Sequence, residues 1–134
     1  MVKVVSFMYC ESVQTDMSNG KPIPHLISPL TAIVPVSIPT NYSFCIFIGL
    51  TGFDFNERNT VEIKFKKPDG SCIKETGEME IPLSDKMIGG INFNIDLRNI
   101  TLNVTGEYKT EVYVNNKFLG EYPISVIGSD NNAK

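Results

Sequence analysis

Residues 102–127 read LNVTGEYKTEVYVNNKFLGEYPISVI, from Leu102 to Ile127. Within them Tyr108, Thr110, Val112 and Val114 alternate with Lys109, Glu111 and Tyr113. Successive strand side chains point to opposite faces, so this spacing predicts a strand with one buried face. Asn115-Asn116 follows at once. A two-residue type I′ hairpin turn needs positive φ at both central positions, and Asn tolerates it. The return strand should set Phe118, Gly120, Tyr122, Ile124 and Val126 on one face. Leu119, Glu121, Pro123, Ser125 and Ile127 then fall on the other. Pro123 has no N–H for a ladder, so this strand is expected at a sheet edge, or with a bulge there.

The approach through Leu102, Gly106 and Tyr108 resembles the start of the sixth strand in immunoglobulin-like sandwiches. There a Tyr hydroxyl bonds back to the backbone at a loop corner. Antibody domains carry a disulfide Cys two residues later, where this chain has Thr110, so the resemblance is to disulfide-free relatives. The plainer expectation for Tyr108 is a half-buried strand tyrosine.

Upstream, Val2–Cys10 reads as the first strand, and polar Glu11–Lys21 as a loop or turn at Asn19-Gly20. Prolines 22, 24, 29 and 35 exclude a helix or central strand over Ile23–Ser37, leaving short edge segments. Tyr42–Phe53, apolar on both faces, is the expected central strand. Thr60–Lys67 alternates cleanly, and Pro68, Asp69 and Gly70 form a turn, Pro presetting φ and Gly supplying the left-handed residue. Ser84–Gly90 holds one short helical turn or none. Ile91–Leu97 alternates again, and Arg98–Thr105 is the corner loop. Seven to nine short strands at spacings near ten residues, without an amphipathic helix, predict an all-β, Ig-like antiparallel sandwich.

At 134 residues the chain is expected to form one domain over 1–128, with a polar tail at 129–134. A net charge of −3 and a single small cluster, Lys64, Lys66 and Lys67, argue against nucleic-acid binding. No apolar run is long enough to span a bilayer, so no membrane partner is expected. The N-terminus reads as a strand rather than a signal peptide. Cys10, Cys45 and Cys72 have no paired spacing and are expected as reduced thiols in a cytoplasmic protein. The glycosylation-type triplets at Asn41, Asn99 and Asn103 then mark only turns.

Chemistry is sparse. His25 is the single histidine, and a triad, a Cys–His pair or a zinc site would each need it. It is expected as a loop or edge residue. The acids at Glu75, Glu78 and Glu80, or Asp54 and Glu57, read as a solvated outer face rather than an acid–base pair. Asp54, Asp69 and Asp85 stand singly, without the grouping a calcium-binding loop needs. Phosphate-loop and dinucleotide motifs are absent. No catalytic residue, metal or cofactor is expected, and the chain is not expected to be an enzyme. The candidate binding residues are Tyr113 and Leu119, outward near the hairpin tip, with Phe47 on the second face of the central strand. Single exposed apolar residues are also ordinary.

The chain resembles a family of small, uncharacterised β-sandwich proteins of bacteria and their phages. The resemblance rests on Cys10-Glu11 ending the first strand, Val61-x-Ile63 leading to Lys67-Pro68-Asp69-Gly70, and Gly106-x-Tyr108 before the closing pair. It implies the sandwich and no catalytic residue. The expected function is a protein-binding or self-assembling module. An edge strand, Val2–Cys10 or Phe118–Ile127, would pair with a partner or a second copy. The alternatives are a phage structural or decoration domain on the virion, and a small-molecule or carbohydrate-binding sandwich using Tyr42, Phe53 and Phe55.

Overall fold

The computed structural model describes residues 1–54, 56–81 and 90–128, with residues 21 and 22 by backbone alone. Its strands are β1 (Lys3–Ser18), β2 (Lys21–Leu30), β3 (Ala32–Ile33), β4 (Thr40–Thr51), β5 (Asn59–Lys66), β6 (Cys72–Glu75), β7 (Met79–Ile81), β8 (Ile91–Leu102), β9 (Gly106–Val114) and β10 (Lys117–Val126). One sheet has the order β2-β1-β4-β8; the other has β3-β10-β9-β5-β6, with β7 also on β5. The chain is an all-β, immunoglobulin-like sandwich.

Alternation puts the apolar rows between the sheets. Phe44, Ile46, Ile48 and Leu50 of β4 are buried against Ile63 and Phe65 of β5, Tyr108 and Val112 of β9, and Ile124 and Val126 of β10. The rings form a chain: Phe44 and Phe65 have centroids 5.4 Å apart, and Phe65 and Tyr108 5.7 Å. Each such side chain contributes about 1.5–3 kcal/mol through burial. A polar link crosses this layer. The Tyr9 hydroxyl of β1 lies 2.7 Å from Thr110 Oγ1 and donates to the Tyr122 carbonyl at 2.5 Å. Burial pushes that hydroxyl's pKa far above its usual range.

The closing hairpin turns through Asn115 (φ 52°) and Asn116 (φ 65°). The Tyr108 hydroxyl donates to the Val104 carbonyl, four residues back, at 2.7 Å. The turn after β5 is closed by Gly70 N–H to the Lys67 carbonyl at 2.9 Å, with Gly70 at φ 90°. Asp69 accepts from the Ser71 amide and hydroxyl, which hold its carboxyl below the usual range.

Several expectations change. The first strand does not stop at Cys10: β1 runs on to Ser18 and turns at Asn19 (φ 53°) and Gly20 (φ 77°) into β2. The prolines of β2 do not shorten it, because it takes them as an edge strand. Beyond Cys10, β1 no longer pairs with β4, so Ser12–Ile27 forms a two-stranded arm. The corner loop is shorter than expected, because β8 continues to Leu102 across a register shift near Asn99 (φ 53°). The possible helical turn at 84–90 and the tail at 129–134 lie outside the described residues, save Gly90.

Candidate functional site

The named candidates do not form one patch. A register shift between Phe118 and Gly120 inserts Leu119 as an extra residue, and it packs against the core instead of facing outward. Phe118 takes the outer place opposite Tyr113, ring centroids 5.6 Å apart, and is 53 % exposed. Phe47 belongs to the other sheet, in the row Met8–Phe47–Asn94. Phe53 is in the core, and Phe55 lies outside the described residues.

Tyr113 is engaged within its own face. Its hydroxyl donates to Glu111 Oε1 at 2.7 Å, and Lys66 Nζ meets the same oxygen at 2.9 Å. Lys64 Nζ stands 5.1 Å from the Tyr113 ring centroid. Burial pushes the Glu111 carboxyl up, but the bonds from Lys66 and Tyr113 outweigh it and hold the group below its usual range. The same bond raises the Tyr113 hydroxyl to about 12. This face is a satisfied surface network, with Lys109 and Glu121 adding a pair at 3.3 Å.

Cys10 and Cys45 are cross-strand partners. The Cys45 thiol donates to Asp96 Oδ1 at 2.8 Å. Burial, then that bond, pushes Cys45 up to about 11, away from a reactive thiolate. His25 joins neither: its Nε2 lies 3.0 Å from Asp16 Oδ2 on the exposed arm. Among the described residues no three His, Cys, Asp or Glu side chains gather as a metal site.

The sheet edges differ sharply. Unpaired strand edges invite other strands, and prolines, short length or charge blunt them. In β2, the two-residue turn makes Ser18 and Lys21 a hydrogen-bonded pair, and such pairs alternate along the ladder. Pro22 and Pro24 therefore fall in the intervening pairs, their nitrogens turned to the open side. In β10, the Ile127 amide donates outward to the Ile33 carbonyl of β3 at 2.9 Å. Pro123, four residues back on the same side, removes a donor from the part of that edge that β3 leaves open. The edge strands on β5 are short: β6 is 4 residues and β7 is 3.

β8 has fewer of these devices, its charges being Asp96 and Arg98 next to the register shift near Asn99. It is 12 residues long, without proline or lysine, and among the described residues pairs only with β4. Beneath its first residues the described part of the sandwich leaves a cleft. Ile91, Phe93 and Ile95 face the core but stay half-buried. An apolar cleft of about 290 Å³ lies between Ile91 and Phe93 of β8 and Val61, Met79 and Ile81 of the other sheet, with Glu80 and Asn92 completing it. A larger concavity of about 590 Å³, between residues 36–38 and 103–105, ends at Gly128, where the described chain ends. The two expected edges differ from β8 and from each other. Val2–Cys10 pairs with β4 on one side and with β2 only at Tyr9 and Cys10, so among the described residues Lys3–Met8 has no neighbour on its other side, whereas Phe118–Ile127 is guarded by Pro123 and β3. The sequence signal for β8 was the missing proline and lysine in an alternating strand, but strand order had to be known first.

Among the described residues no helix is long and apolar enough to cross a membrane. An immunoglobulin-like protein from Pseudomonas aeruginosa is similar in structure: TM-score 0.52, 16 % identity, 95 % of this chain and 97 % of that one covered. The Pseudomonas fluorescens alkylpurine DNA glycosylase bound to DNA containing an abasic-site analogue gives a TM-score of 0.45 at 11 % identity. That match spans 93 % of this chain but 30 % of the glycosylase, and no functional argument follows from it. No curated protein matches the sequence. The sequence pattern of DUF6941, a family of unknown function, covers residues 5–127, so the chain belongs to that family.

Proposed function

We propose that this protein is a non-catalytic protein-binding module that takes up an extended partner strand along the open edge of β8. The observation that carries this is a 12-residue strand without proline or lysine that, among the described residues, has one neighbour, with an apolar cleft beneath its first residues. Backbone groups of β8 would hold the added strand, and its inward side chains would enter the cleft, which gives affinity and specificity separate sources. The raised thiols and the exposed His25–Asp16 pair support a binding role over catalysis. A cytoplasmic setting suits the reduced cysteines, and a virion role would use the same edge for assembly.

The test is selection of peptides from a random display library on the immobilised protein, followed by backbone amide mapping of the bound peptides. Shifts confined to Ile91–Leu97 and the cleft residues are expected. Peptides that shift the Ser12–Ile27 arm or the Tyr113 face instead would overturn the reading, as would failure to select any.

A further inference from the structure

We propose that Cys10 and Cys45 are a disulfide site, closed by a low-molecular-weight disulfide oxidant, that staples β1 to β4 at the base of the arm. Their backbone placement carries this. The two residues are directly opposed on neighbouring antiparallel strands, and theirs is the last rung of the β1–β4 ladder. Directly opposed side chains leave the sheet on the same face. Their Cα atoms are about 4.5 or about 5.5 Å apart, depending on the type of rung. Disulfides join Cα atoms about 4.4–6.8 Å apart, so either type of rung can be bridged without moving a strand. The Cys10 thiol already leans on its partner residue, its Sγ 3.8 Å from the Cys45 carbonyl oxygen. Cys72 is exposed on β6 of the other sheet and does not compete within the chain.

Closing the bond needs one local change. The Cys45 thiol is turned to β8, donating to Asp96 Oδ1 at 2.8 Å and accepting from the Val13 amide. Rotation about its Cα–Cβ bond to another staggered position carries the sulfur toward Cys10. Both side chains are buried, 0 % and 4 % exposed, so exchange in the native protein proceeds through local openings. One cysteine thiolate attacks the small disulfide, forms a mixed disulfide and releases one small thiolate. The other cysteine thiolate attacks the protein sulfur of that mixed disulfide, and the second small thiolate leaves. The cysteine pair is oxidised by two electrons, the S–S bond of the oxidant is reduced, and the two thiol protons pass to the leaving thiolates. The chain then holds free thiols in a reducing pool and the staple in an oxidising one.

Refolding from urea in a glutathione buffer tests this without waiting on native openings, with Cys72→Ser removing the exposed thiol. The expected product is lighter by two hydrogens and yields Cys10 and Cys45 in one cross-linked peptide after proteolysis. The fold holds the two residues together, so the ratio of disulfide to dithiol at one glutathione poise should be about tenfold or more higher in native buffer than in denaturant. The oxidised protein should accordingly unfold at higher urea, and a reducing agent should return the midpoint. Oxidation should also move the titration of the Asp96 carboxyl to higher pH, because the bond from Cys45 is the chief cause of its lowered value. A refolded protein that keeps both thiols free at an oxidising poise, or carries glutathione on both, overturns the inference. So does a native-to-denatured ratio of one or less, since the fold would then resist the bond.

Discussion

Gly106 lies against the ring of Pro68: a β-carbon on Gly106 would sit 2.9 Å from Pro68 Cγ and 3.3 Å from its Cβ. This contact joins the turn after β5 to the start of β9. Gly106 also has φ 135°, a conformation that L side chains rarely adopt. Gly106→Ala should therefore destabilise the fold by about 2 kcal/mol or more, from backbone strain and the clash together. Urea unfolding would show a lower midpoint at unchanged slope.

Tyr9 ties the two sheets through one hydroxyl, bonded to Thr110 Oγ1 and the Tyr122 carbonyl. Tyr9→Phe keeps the ring and leaves Thr110, which is fully buried, without that partner. The expected loss is about 2 kcal/mol, larger than for a surface hydrogen bond. Thermal unfolding of the two proteins side by side measures it. An unchanged midpoint would show that the hydroxyl does not couple the sheets.

Cys45 supplies an alkaline limit. Its pKa is raised from 9.0 in the unfolded chain to about 11 in the fold, first by burial and then by the bond to Asp96. The protonated thiol is favoured in the fold, so this stabilisation is complete below pH 9.0 and disappears as pH rises to about 11. Cys45→Ser retains a hydroxyl donor to Asp96 but does not titrate there. The stability difference between wild type and Cys45→Ser should shift against wild type by on the order of 2 kcal/mol over that window. Parallel curves across it would contradict the assignment.

The three cysteines should separate by access. Cys72 is exposed, whereas Cys10 and Cys45 are buried. An aromatic disulfide reagent should titrate one thiol quickly in the native protein and all 3 in denaturant. Cys72→Ser should abolish the fast phase. Fast reaction of two or more thiols would contradict the burial of Cys10 and Cys45.

The hairpin that opened the sequence reading shows how far local signals reach. Asn115-Asn116, Pro68-Asp69-Gly70 and the rows Val61–Phe65 and Tyr108–Val114 are set by turn chemistry and strand period, which act within a few residues. The same signals misplaced Leu119, because one inserted residue at Phe118–Gly120 reverses the facing that period predicts. They also ended β1 at Cys10, because the polar Glu11–Ser18 run resembles a loop until β2 pairs with it.

The candidate site was less legible. Tyr113 and Phe47 each face outward as predicted by alternation, but on different sheets. No period in the sequence says which sheet a strand joins. Pro123 was readable as an edge signal, and the fold gives it the related task of blocking the outer side of β10 next to β3.

The sequence by itself determined the strand class, the turns and the inward rows, since these follow from φ preference and the two-residue alternation of each segment. Only the tertiary structure decided that, among the described residues, β8 stands at an edge above an apolar cleft while β2 and β10 are guarded. An edge is a missing neighbour, and neighbours are chosen by long-range pairing among all the strands at once.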